Sequence, residues 1–131
     1  MRLLLDTHIW LWSVHQPESL GSRTTMLLTD TETDIWLSPV SIWEFLQLVG
    51  KRRFPVLRDP SAWISEALER FPHSDAPLTR DVALEIQHFR LPHRDPADML
   101  LVATARALGL TLVTADRNII ESGAVAVVPN D

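Results

Sequence analysis

The sequence predicts an α/β fold in which helices cover both faces of a parallel sheet. Short apolar runs with β-favouring residues alternate along the chain with longer segments whose apolar residues recur every three or four positions. Such alternation implies parallel strands joined by helical crossovers, with both faces of the sheet buried. The length of 131 residues and the 46% hydrophobic content fit one domain with a real core, and argue against disorder.

Arg2–Leu5 is an apolar run suited to a buried strand, and Asp6 with Thr7 can cap a helix carrying Ile9, Trp10, Trp12 and Ser13. Pro17 and Ser19 mark the next start, with Met26, Leu27 and Leu28 on its apolar side. Residues 29–34 are polar and turn-like. Ile35, Trp36 and Leu37 form a second strand, ended by Ser38-Pro39. Residues 41–49 fit a helix with Ile42, Phe45, Leu46 and Val49 inward and Gly50 as its stop. Residues 54–60 form a linker. Asp59-Pro60 starts a helix with Trp63, Ile64, Ala67, Leu68 and Phe71 inward. Residues 73–78 suggest a short edge strand broken by Pro77. Residues 79–89 form a helix with Val82, Ile86 and Phe89 on one side. Asp95-Pro96 opens the strongest helix, which runs to Leu108 and stops at Gly109. Residues 110–114 form a strand, 117–121 a helical turn, and 124–128 the last strand.

Four acids adjoin buried runs. Asp6 follows Leu3-Leu4-Leu5. Glu44 lies within Ser41-Ile42-Trp43-Glu44-Phe45-Leu46. Asp98 precedes Met99-Leu100-Leu101-Val102-Ala103, and Asp116 follows Leu112-Val113-Thr114-Ala115. A carboxylate beside apolar surface is costly unless paired, hydrogen-bonded or bound to a cation. In parallel α/β sheets ligands collect beyond the carboxyl ends of the strands, where Asp6 and Asp116 fall. Four acids gathered there would repel one another, and a divalent metal is the simplest remedy. An all-oxygen set suits Mg²⁺ or Mn²⁺. Each acid also has a plainer reading. Asp6 and Asp116 suit a cap or a turn, Asp95 and Asp98 a capping pair, and Glu44 the flank of an amphipathic helix. Thr7 and Thr114 stand where a hydroxyl can hold a carboxylate.

Such a carboxylate site reads first as that of a metal-dependent phosphodiesterase; the net charge of −5 looks wrong for one acting on nucleic acid, but setting the four site acids aside leaves 13 acids against 12 Lys and Arg. No acid occurs between Glu44 and Asp59, a stretch holding Lys51, Arg52, Arg53 and Arg58. Such a patch can guide a phosphate backbone, or simply favour a helix C-terminus. Arg94 and Arg117 adjoin site acids and suit either substrate phosphate or a structural ion pair. With no cysteine, disulfides and thiolate metal sites are excluded. The first residues are too short an apolar run for a signal peptide, and no stretch approaches a membrane span, so a soluble cytoplasmic protein is expected. His8, His15, His73, His88 and His93 lack the spacing of a zinc helix and read as surface or packing residues, with His93 set apart because it flanks the acidic motif. Trp10 and Trp12 cannot share one helix face, which leaves one of them exposed, free to stack on a ligand or bury against a partner.

The segments Leu3-Leu4-Leu5-Asp6-Thr7-His8, Ser38-Pro39-Val40-Ser41-Ile42-Trp43-Glu44, Leu112-Val113-Thr114-Ala115-Asp116 and, most specifically, residues 93–105 from His93-Arg94-Asp95-Pro96-Ala97-Asp98 onward resemble a PIN domain, in particular a VapC-type toxin ribonuclease. The resemblance covers nearly the whole chain. Met99 departs from it, standing where many relatives carry Arg. The resemblance implies an α/β/α sandwich with a five-stranded parallel sheet, commonly dimeric. It implies Asp6, Glu44, Asp98 and Asp116 as the metal site, with Asp95 as a cap or supporting residue, and an Mg²⁺- or Mn²⁺-dependent endoribonuclease leaving 5′-phosphate and 3′-hydroxyl ends. A small VapB-like antitoxin would hold it inactive through an Arg placed in the acidic cleft.

Three alternatives compete. A phosphatase forming an aspartyl-phosphate wants Asp-x-Asp, and His8 occupies the third position. A receiver domain needs a Lys at a later strand end, and the sole lysine, Lys51, lies at the end of a helix. The remaining one is an inactive PIN-like module that binds RNA or protein and keeps its acids only as caps.

Overall fold

In a computed structural model that describes residues 1–56 and 58–131, the first strand, β1 (Arg2–Leu5), forms the middle of the sheet. Its three leucines explain the layering. Successive side chains on a strand point to opposite faces. Leu3 and Leu5 enter one core with Ile9, Trp10, Ile35 and Phe45, whereas Leu4 enters the other with Val40, Leu101, Val102 and Ile119. All three are fully buried, each worth roughly 1.5–3 kcal/mol of transfer free energy.

The elements follow in order. Helix α1 is Thr7–His15, and α2 is Ser22–Thr29 after a single 3₁₀ turn. Strand β2 (Asp34–Leu37) leads into α3 (Pro39–Gly50), capped by Ser38 through Val40 N–H. Then come α4 (Pro60–Leu68), the two-residue β3 (Ser74–Asp75) and α5 (Arg80–Glu85). Helix α6 is Pro96–Leu108, β4 is Thr111–Thr114, α7 is Arg117–Ser122 and β5 is Val127–Pro129. The five strands are all parallel in the order β3-β2-β1-β4-β5, making the expected three-layer α/β/α sandwich. The chain runs from β1 outward to β3, then crosses to β4 on the other flank of β1. That reversal leaves a crevice above the carboxyl ends of β1 and β4.

Several details differ from expectation. Gly50 is the last residue of α3 rather than its stop. The left-handed residue is Arg52, with φ of 57°. Its N–H reaches Val49 O at 3.0 Å and that of Arg53 reaches Leu48 O at 2.8 Å, closing a Schellman motif. Leu46 and Met26, expected inward, are exposed. Phe45 instead anchors α3, stacked on Trp63 at 4.4 Å and edge-on to Trp10 and Phe54. The helix expected over 79–89 is α5 followed by a 3₁₀ turn, Ile86–His88. Of the 54–60 linker, Leu57 lies outside the described residues. Among the described residues no helix is long and apolar enough to cross a membrane.

Candidate metal centre

Asp6, the residue after β1, is buried and caps α1. Its Oδ1 accepts from Thr7 N–H at 2.7 Å and its Oδ2 from Thr114 Oγ1 at 2.6 Å. Thr114 ends β4, and the same hydroxyl accepts the N–H of Asp116 at 3.0 Å. Asp116 in turn caps α7, its Oδ1 accepting from Asn118 N–H at 2.8 Å and Ile119 N–H at 3.4 Å. Capping and site geometry are therefore held by the same carboxylates.

Glu44 arrives from the second turn of α3. Thr7 Oγ1 bonds Glu44 Oε1 and lies 3.0 Å from Ser41 Oγ. One hydroxyl proton serves one acceptor, so Thr7 donates to the carboxylate and Ser41 donates to Thr7. Asp95 caps α6, its Oδ1 accepting from Ala97 N–H at 2.9 Å and Asp98 N–H at 3.4 Å. Asp98 sits in the first turn of that helix, buried. Asp6, Glu44, Asp95, Asp98 and Asp116 line one cavity of about 320 Å³, together with His8, Trp12 and Ala115. Glu44, Asp98 and Asp116 each accept from protein donors on one oxygen only, which leaves the other without a donor among the described residues.

Crowding shows in the titration. Burial pushes Asp98 up to about 7, against the pull of a hydrogen bond from His93, and repulsion from Asp6, Asp95 and Asp116 adds to the rise. Burial also raises Asp6, opposed by its bonds to Thr114 and Thr7. It raises Glu44 too, opposed by Thr7 and reinforced by Asp6 and Asp95. A divalent cation offsets both causes, since it compensates lost hydration and replaces repulsion with attraction. Hard oxygen donors, mostly carboxylate, fit Mg²⁺ or Mn²⁺.

The family model of the PIN domain matches residues 3–124. The chain belongs to the PIN domain family. Solved structures similar to this PIN domain include VapBC2 from Rickettsia felis bound to a promoter DNA fragment, at TM-score 0.75 and 17% identity over 100% of both chains. DNA-bound VapBC from Salmonella typhimurium gives TM-score 0.69 and 16% identity, covering 100% of this chain and 99% of that one. FitAcB from Neisseria gonorrhoeae gives TM-score 0.65 and 22% identity, covering 98% and 97%. The sequence finds no match among curated proteins.

Around the acidic cavity of this PIN domain the basic candidates separate. Lys51 and Arg53 line an adjoining hollow with Trp43, Gln47 and Leu48; Glu44 and Asp95 border both spaces. Arg52 is exposed and outside the lining of either. Arg94 lines a third hollow with Arg90, His93 and Met99. Arg117 is exposed and 3.6 Å from Glu121, the structural pairing considered from sequence. Trp10 is buried, while half-buried Trp12 faces the acidic cavity beside His8, ring centroids 5.9 Å apart.

Sequence reasoning missed His93, which it placed among surface or packing residues. Its Nε2 lies 2.7 Å from Asp98 Oδ2. One donor atom from each of His93, Asp98 and Asp116 falls within 4.8 Å of the others. Hydrogen bonding to Asp98 raises the His93 pKa. The available signal was position: His93 lies two residues before the cap of α6, where the incoming loop can fold back on the first turn.

Proposed function

We propose that this PIN domain is a metal-dependent endoribonuclease and the toxin of a VapBC-type toxin–antitoxin pair. The observation that carries the nuclease reading is the convergence of Asp6, Glu44, Asp98 and Asp116 on one cavity at the reversal of strand order. These four carboxylates would hold Mg²⁺ or Mn²⁺. When bound, the cation supplies positive charge against a scissile phosphate and lowers the pKa of water. Thr7 and Thr114 fix the orientation of Glu44 and Asp6. Asp95 caps α6 and thereby holds the turn that carries Asp98. Lys51 and Arg53 supply cations beside the site for the RNA backbone, and exposed Trp43, lining the same hollow, offers a surface on which a base can stack. Arg94, Arg117 and Arg52 are more distant contacts for the same polyanion.

The toxin reading draws support from the similar structures, which are VapBC and FitAB-type complexes. A small antitoxin inserting an Arg would neutralise the acids in place of the cation, and the toxin is proposed to pair with a second copy of itself.

The test is cleavage of single-stranded RNA with Mg²⁺ or Mn²⁺. Asp6→Asn and Asp98→Asn are expected to lower the rate roughly 100-fold or more, the scale of losing one electrostatic contribution to a transition state, and chelation should abolish cleavage. Equal activity in both variants overturns the site assignment. RNA binding by a wild-type protein that never cleaves favours the inactive-module alternative.

A further inference from the structure

We infer that His93 is a positioning residue for Asp98, donating from Nε2–H to Oδ2 so that Oδ1 is the oxygen presented to a divalent cation. The inference rests on the metal-dependent reading of the site. Asp98 differs from its neighbours in how it is held. Asp6 is held by Thr7 N–H and Thr114, Glu44 by Thr7, and Asp116 by the amides of α7. The amides at the start of α6 are engaged by Asp95, which leaves Asp98 without a donor from its own helix. His93, from the preceding loop, supplies one at 2.7 Å.

The cluster His93, Asp98 and Asp116 would also allow His93 to bind the cation directly. The other ring nitrogen argues against it. An imidazole coordinating through Nε2 carries its proton on Nδ1, and that N–H needs an acceptor. Nδ1 of His93 is buried without a hydrogen-bond partner among the described residues. Coordination would therefore strand a buried donor. The opposite tautomer satisfies Nε2–H on Asp98 and leaves only a lone pair at Nδ1, a smaller loss. Imidazole in this role resembles the supporting hydrogen bonds that orient ligating carboxylates elsewhere.

The experiment is Mn²⁺ binding at one fixed pH, followed by electron paramagnetic resonance, on the wild type, His93→Ala and His93→Gln. Gln places an amide donor near the position of Nε2. Wild type is expected to bind Mn²⁺ without the nuclear coupling of a nitrogen bonded from His93. His93→Ala should bind about 10–100-fold more weakly, and His93→Gln should recover to within about threefold. A bonded-nitrogen coupling in the wild type that His93→Ala abolishes overturns the inference, and so does undiminished binding by His93→Ala. Should wild type bind no Mn²⁺, the metal reading falls and this inference with it; undiminished binding by His93→Ala removes only the role of His93.

Discussion

Thr114 does two jobs with one hydroxyl, donating to Asp6 and accepting from the Asp116 N–H. It ties the end of β4 to the residue after β1, and so ties two of the four acids to each other. Thr114→Val keeps the shape and deletes both bonds. It should weaken Mn²⁺ binding about 10–100-fold, the usual cost of losing a supporting hydrogen bond at a metal site. It should also lower unfolding stability by about 1–3 kcal/mol through the Asp6 carboxyl left short of a donor. Calorimetric titration and denaturant unfolding measure the two; unchanged metal binding would remove Thr114 from the account. At this scale the acids were legible because a carboxylate next to an apolar run demands a reason. Capping and a place at the acidic cavity are not rivals for Asp6 and Asp116, which cap α1 and α7 and line that cavity as well. His93 was only partly legible: it flanks the acidic motif, but its partner, five residues on, is reached only when the loop folds back against α6. Position before the cap permits that turn, but spacing alone does not single out Asp98 as the partner.

At the scale of elements, the sheet and most helices were legible from periodicity, and their ends were less so. Gly50 offered itself as the stop of α3, yet the left-handed position falls two residues later, on Arg52. Local preference favoured Gly50, whereas the chain placed its reversal after Lys51. A non-glycine residue there costs roughly 1–2 kcal/mol. Arg52→Gly is therefore expected to stabilise the protein by about 1 kcal/mol, read as a rise in the unfolding midpoint; a fall would mean that the Arg52 side chain makes up for the strain. Leu46 was read as inward because a helical wheel averages over a face. Aromatic packing decides the rotation of α3 instead, with Phe45 fully buried against Trp10, Phe54 and Trp63. Phe45→Ala should cost about 3–5 kcal/mol in denaturant unfolding. A loss below 1 kcal/mol would show that this cluster does not seat the helix that carries Glu44. The short edge strand expected within residues 73–78 is β3, at the edge of the sheet, and its two residues are too few for alternation to fix its ends.

For the whole molecule, the fold and the site meet in a dependence on pH. Asp6, Glu44 and Asp98 hold protons in the folded state to higher pH than in the unfolded chain. The folded state thus binds more protons between roughly pH 4 and pH 7, and stability falls as pH rises through that window. His93 acts in the same direction: its raised pKa contributes stability at low pH that is lost as pH climbs through the folded value. The metal-free protein should melt at a lower temperature at pH 8 than at pH 5, and millimolar Mn²⁺ should shrink or reverse the difference, since cation binding competes with protons. A melting temperature that rises from pH 5 to pH 8 without metal would contradict the burial of these acids. The layering was legible because strands alternate with helices, and the three leucines of β1 feed two cores; the strand order, whose reversal at β1 and β4 brings the acids together, carries no signature in the sequence. The central claim is that these separate carboxylates share one cation, and anomalous diffraction from a crystal grown with Mn²⁺ tests it most directly. The account predicts a peak within bonding distance of Asp6, Asp98 and at least one of Glu44 and Asp116. A peak elsewhere, or none at saturating Mn²⁺, would contradict it.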